Sequence, residues 1–274
     1  MIGILISTMA SRVDNLTERH FPCDEGIQYF IVIQGCADAE EKKVRERVGD
    51  KMPNALVFFL DKIGLANNRN YCLELACANN ELDYVYIADD DITININEVK
   101  LLAKRMANDG VDLGAGRVSS STGWFKNYNR NEYEIKLIQA AKVSSVEMIL
   151  KVDFIKDNNI RFDSLFGLGS HFPSGEEFIF VSDVLKNKGK ARFYPITLCE
   201  HPPVSSGKDF FTNHKKIEAK GAMLYRIFGL YSYIYMIVFA LKKYKLYRSE
   251  ITFLNFIYFM IKGSSVYKTF SKST

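Results

Sequence analysis

The chain has 274 residues, 47% of them apolar and 13% aromatic, which excludes a disordered polymer and leaves room for one large core plus an appendage. The net charge of only +4 offers no general basic excess, and no nucleic-acid partner is expected. Five scattered cysteines without a C-x-x-C spacing argue against a zinc site or a disulfide scaffold, and for free thiols in a reducing, cytoplasmic compartment.

Apolar runs predict strands at 2–7, 28–34, 55–60, 84–88, 112–117, 145–152 and 191–197. The first, Met1 to Ile6, has no basic residues ahead of it and is too short for the apolar core of a signal peptide. Helical patterns are predicted over 38–49, 67–79, 97–106 and 178–185, the last ended by Gly189. Alternation of the two predicts right-handed β-α-β units: an α/β fold with a mostly parallel, Rossmann-like sheet. Ligands of such sheets bind beyond the carboxyl ends of the strands.

The strand at Tyr84–Ala88 runs into Asp89, Asp90 and Asp91. Three carboxylates closing a buried strand repel one another and lose hydration, and a cation offsets both costs. Asp89 and Asp91 point to one side of an extended chain, and their hard oxygens suit Mg²⁺ or Mn²⁺. An acidic turn capping the next helix is the plainer alternative. Gly64 to Asn70 precedes a helix; its free N–H groups and Arg69 favour an anion, or the segment is an ordinary cap. Glu176-Glu177 opens a helix after a glycine-bearing loop, where a carboxylate either matches the helix dipole or serves as a general base. His201 follows the last strand as a third metal ligand, a phosphate contact or a loop histidine.

Residues 204–274 carry a net charge of +9, leaving −5 for the rest, and the break near Pro202-Pro203 marks a domain boundary. Two uncharged, aromatic-rich runs, 227–241 and 251–261, lie between basic flanks; the first spans about 15 residues, short of the ~20 that cross a bilayer. The tail fits helices lying in an anionic membrane surface, or a helical hairpin packed on the main domain or in a homodimer.

Together these residues resemble the inverting family-two glycosyltransferases of GT-A fold, whose bacterial members build surface polysaccharides. The resemblance covers about residues 2–201. It rests on the first strand with Ser7-Thr8, on Gly64 to Asn70 as the G-x-x-x-x-R-N segment, and on Asp89–Asp91 as the Asp-X-Asp motif. Gly175-Glu176-Glu177, as the acidic base motif, and His201 complete it.

The resemblance implies a catalytic domain over 1–203. It implies a nucleotide-diphosphate sugar donor, such as a UDP-sugar, held by Thr8, Arg12, Gln34, Asp38, Arg69, Asp89 and Asp90. A Mn²⁺ or Mg²⁺ ion would sit on Asp89, Asp91 and His201, with Glu177 as base and Glu176 as its neighbour. Trp124 and His171 would lie on the side of a glycan or lipid-linked acceptor, and the enzyme would be peripheral at the inner face of the cell membrane. Two departures stand out: the second strand ends in Gln34 with Asp38 as its nearest acid, and the base motif ends in Glu177 where Asp is commoner. The rivals are a nucleotidyltransferase of similar fold, whose glycine-rich loop is missing from Thr8–Arg12, and a non-catalytic membrane-bound adaptor.

Overall fold

The computed structural model describes residues 1–19, 21, 22, 24–202 and 213–271. In chain order the first elements are β1 (Ile2–Met9), α1 (Val13–Thr17), β2 (Ile27–Gln34), α2 (Asp38–Lys51), β3 (Ala55–Leu60), α3 (Leu65–Ala78), β4 (Tyr84–Asp89), β5 (Thr93–Ile94) and α4 (Ile96–Asp109). There follow β6 (Leu113–Ser120), β7 (Gly123–Trp124), β8 (Tyr133–Glu134), α5 (Leu137–Ala140), β9 (Met148–Lys151), α6 (Val152–Asp157), α7 (Glu176–Lys186) and β10 (Ala191–Glu200). The tail forms α8 (His214–Phe228), α9 (Ser232–Tyr247) and α10 (Phe253–Phe270).

The strand order is β3-β2-β1-β4-β9-β6-β10-β5. The expected mostly parallel sheet is present: β1, β2, β3, β4, β6 and β10 all run one way. β9 is reversed between β4 and β6. The strand expected over 145–152 is shorter, because Ser145–Glu147 form one 3-10 turn capped by Ser144. The carboxyl ends of β1, β4, β6 and β10 therefore share one edge with the beginning of β9. At that edge Ser7 of β1 pairs with Asp89 of β4. The chain order reverses between β1 and β4, the crevice where such sheets take their ligands.

Apolar strands covered on both faces explain the near-continuous burial of Ile4–Ile6, Phe30–Ile33 and Val85–Ala88. One face packs on α1, α2 and α4 through Val13, Leu16, Val48 and Leu102. The other packs on α3, α6 and α7 through Leu73, Ile155 and Phe180.

A third core joins the tail to this body: Phe166, Phe172 and Ile179 pack with Ile217, Met236, Phe256 and Met260. Arg226 of α8 adds ion pairs to Asp163 (3.0 Å) and Asp183 (2.7 Å). The boundary expected at 203/204 falls outside the described residues at Pro203; the helices beyond it share a core with the residues before it. The apolar run at 227–241 is not one helix, since Gly229–Tyr231 forms a 3-10 turn between α8 and α9. α8 and α10 cross in very close contact: a Cβ on Gly221 would lie 1.9 Å from the Met260 carbonyl oxygen, and one on Gly263 1.9 Å from that of Glu218.

α9 buries Met236, Ala240 and Tyr247 but turns Ile234, Ile237, Val238 and Leu241 outward. That spacing is one helical face. α10 likewise exposes Leu254, Tyr258 and Ile261. Among the described residues, one helical stretch, the 34 residues His214–Tyr247, is long and apolar enough to cross a membrane by length and composition.

Candidate active site

The acidic run divides its labour. Asp90 turns inward and is 3% exposed. It accepts hydrogen bonds from Thr8 Oγ1 (2.5 Å), from Arg12 Nη2 (2.5 Å) and Nε (3.1 Å), and from Asn15 Nδ2 (3.4 Å). Thr8 and Arg12, expected on the donor, are thus joined to Asp90, expected beside them. This bidentate pair locks the turn after β4.

Asp89 and Asp91 stay at the surface of the edge and meet His201, with one ligand atom from each lying within 4.8 Å of the others. β10 delivers His201, whose backbone N–H donates to Ser119 O (2.9 Å). Its Nδ1 lies 2.7 Å from Pro202 O. A carbonyl only accepts, so Nδ1 is the donor there and Nε2 is the ring atom left to face the carboxylates. That Nε2 faces Asp91 Oδ1 at 3.7 Å. With Asp89 close by, these three groups have the spacing of ligands that could share one cation. Two carboxylates and an imidazole suit Mn²⁺ or Mg²⁺, with Arg12 Nη2 3.0 Å from the other oxygen of Asp91.

Arg69 is placed differently from the sequence expectation. Gly64, at φ +117°, caps α3, so the helix begins at Leu65, two residues before the expected start, and Asn67–Asn70 lie inside it. The Leu65 N–H is taken by Leu168 O (2.9 Å). Arg69 therefore sits in the second turn of α3, 2% exposed. Its guanidinium donates to Ser145 Oγ (2.7 Å) and Asp89 Oδ1 (3.2 Å), and approaches Glu176 Oε1 (3.5 Å). Burial works against its charge, but Asp89, Glu176 and Glu177 outweigh that and hold Arg69 above its usual pKa. Gln34 is also engaged internally: its amide nitrogen donates to the carbonyls of Lys62 and Gly64, closing the loop before α3. Asp38 opens α2, exposed, four residues beyond β2.

α7 begins with the two glutamates after Gly175, at φ +112°. Glu176 is buried, and its Oε2 has no hydrogen-bond partner among the described residues. Burial, then the charge of Glu177, push its pKa up to about 7 against the pull of Arg69. Glu177 is half-buried. Lys220 of α8 lies in its field, and burial holds that lysine below its usual pKa while Glu177 pulls the other way.

Trp124 is exposed on the β6–β7 hairpin, beside Arg117. His171 packs against Phe172 and Phe270, both at 4.8 Å between ring centres, so it meets the end of α10. Two partners escaped the sequence reading. Ser145 had one signal, the Ser144-x-x-Glu147 capping box around it. Lys220 had none, being one lysine among many in a basic tail.

No family model matches the chain, and no curated protein matches it. Solved structures do. S. aureus TarS 1-349 in complex with UDP-GlcNAc superposes with a TM-score of 0.61 at 16% identity, over 98% of this chain and 91% of that one. The complex of TarS 1-349 with UDP gives 0.57 at 18% identity, over 88% and 70%. A further TarS crystal structure gives 0.57 at 18% identity, over 88% of this chain and 42% of that one. At such identities the likeness is one of architecture alone: the chain has the GT-A fold.

Proposed function

We propose that the chain transfers a sugar from a nucleotide-diphosphate donor to a hydroxyl of a glycan or lipid-linked acceptor, with inversion, in polysaccharide biosynthesis. The observation that carries this reading is the meeting of Asp89, Asp91 and His201 at the carboxyl edge of the sheet, on a fold shared with a protein crystallised with UDP and UDP-GlcNAc.

A Mn²⁺ or Mg²⁺ ion on that triad would supply positive charge for the departing diphosphate. The residues do the rest. The Thr8–Asp90–Arg12 lock holds the acidic turn in place. Arg69, itself held by Ser145 Oγ, orients Asp89 from behind. Glu177, the more accessible glutamate of the pair, takes the proton of the acceptor hydroxyl as that oxygen attacks the anomeric carbon from the face opposite the diphosphate. A single displacement of that kind inverts the anomeric centre.

The tail supports work at a lipid surface on the cytoplasmic side. The outward apolar face of α9 ends in Lys242, Lys243, Lys245 and Arg248, the composition of a helix lying in an anionic headgroup layer. A homodimer through the same face is the competing use of it.

The test is metal-dependent release of UDP from a UDP-sugar panel, with and without glycan acceptors. Release by the native chain and its loss in a folded Asp91→Ala variant are expected. Equal release by the variant, or none by the native chain with any donor and either metal, overturns the proposal.

A further inference from the structure

A second concavity, of about 400 Å³, opens beside Trp124 and is lined by Arg117, Trp124, Asn127, Tyr128 and Arg130. We infer that it is the acceptor subsite, and that it takes an acidic sugar, one bearing a carboxylate or a phosphodiester. The inference rests on the transferase reading for the word acceptor, and on the pocket itself for the word acidic.

The charge pattern comes first. Residues 113–131 contain Arg117, Lys126 and Arg130 and no Asp or Glu. Lys126 is neutralised by the buried Glu147 (2.9 Å). The nearest following acid, Glu132, is taken by Arg105 (2.8 Å). Among the described residues neither Arg117 nor Arg130 has a carboxylate partner. Arg117 donates Nη2 to Asn129 O (2.8 Å), while its buried Nε has no hydrogen-bond partner among the described residues. A guanidinium fork with donors to spare matches a carboxylate or phosphate oxygen pair.

The aromatic part is equally fixed. Trp124 is 55% exposed although it is anchored by the β6–β7 pairing to Ser119. The Arg117 guanidinium lies 5.2 Å from its ring centre, and Tyr128 meets it edge-on at 6.2 Å. Tyr128 cannot swing away, because its hydroxyl donates to Glu147 Oε1 (2.5 Å) and accepts from the Val118 N–H (3.2 Å). A rigid indole left in water beside two arginines presents an apolar face for the C–H side of a pyranose and charge for its acidic substituent.

The pocket also adjoins the donor site. Phe125, the next residue, rests on the His201 ring at 5.2 Å. Glu147, which holds Tyr128, closes the capping box that contains Ser145, the partner of Arg69.

Trp124 is the chain's single tryptophan, so its emission reports on this pocket without a label. The full chain is titrated with a hexuronate tetrasaccharide, a phosphodiester-linked oligosaccharide and a neutral tetrasaccharide, while UDP binding is measured separately by calorimetry. Saturable change with an acidic probe is expected, with about tenfold weaker binding in Arg130→Gln and in Arg117→Gln and UDP binding kept. Which acidic probe binds tells carboxylate from phosphodiester. Arg130 is exposed and has no ion-pair partner among the described residues, so its variant will fold even if the Arg117 variant does not. Equal response to neutral and acidic probes, no response to any, or acidic binding unchanged in Arg130→Gln overturns the inference. Normal UDP binding in those cases leaves the transferase reading standing; lost UDP binding with intact acidic-sugar binding removes that reading and leaves an acidic-glycan site.

Discussion

Glu176 Oε1 lies 3.5 Å from Arg69 Nη1, and the two side chains are almost wholly buried, 6% and 3% exposed. Since the same guanidinium also holds Asp89, one buried cation links the Asp89–Asp91–His201 group to the two glutamates that open α7. Arg69→Met leaves both carboxylates without it. A loss of about 3–5 kcal/mol is expected in urea unfolding at pH 8, with part recovered in the Arg69→Met/Glu176→Gln double variant. A single variant as stable as the native chain would show that the link contributes nothing.

The same pair gives a pH signature. Glu176 rises from an ordinary 4.5 to about 7 in the folded chain, by burial and then by the charge of Glu177. The folded chain therefore binds this proton more tightly than the unfolded chain, and stability falls as pH climbs from about 4.5 to about 7. Between pH 5 and 8 the native chain should lose more stability than Glu176→Gln, by on the order of 1–3 kcal/mol. Glu177→Gln should move that loss to lower pH, because it removes the second cause, and should cut turnover by about 10²–10⁴ with donor affinity nearly kept. If Glu176→Gln is the crippled enzyme, the two roles are exchanged.

The crossing of α8 and α10 predicts a contrast between glycines. Gly263→Ala puts a methyl 1.9 Å from the Glu218 carbonyl oxygen. Overpacking of about 1–3 kcal/mol and a lower Tm follow. Gly49→Ala, inside α2 with nothing within 4 Å of the new methyl, should be neutral or stabilising by ~0.5–1 kcal/mol. Thermal melts of the two variants side by side check both signs.

The outward faces of α9 and α10 predict sedimentation with anionic vesicles at low salt and substantial release at high salt. Basic residues near such a surface contribute about 1 kcal/mol each. Ile234→Asp, on the exposed face, should weaken pelleting. A native chain that remains in the supernatant and elutes as a dimer, with Ile234→Asp a monomer, assigns this face to self-association.

Much of the sheet was legible because strands buried on both faces read as plain apolar runs between helical patterns. Direction was not. Val146, Met148, Ile149 and Leu150 look alike in either orientation, and only pairing with β4 and β6 reverses β9. β5, β7 and β8 are two residues each, too short for any period to show. The convergence of Asp89 and Asp91 on His201 followed from strand ends sharing an edge. The burial of Arg69 did not, since a sequence gives its charge but not the two acids that meet it from β4 and α7. Gln34 likewise reads as a polar strand end, although its amide is spent on the loop before α3.

The reversal of β9 carries a consequence for how this chain can diversify. The backbone leaves the site edge at Ser120 and returns to it at Ser145; between them β8 pairs with β10 and Ile135 and Ala140 join the core, while Trp124 and Arg130 stay exposed. Asp89, Asp91 and His201, the lock on Asp90 and both glutamates lie outside 121–144. On the proposed reading, substitutions at the exposed positions of 121–131 would alter what receives the sugar and leave what donates it untouched.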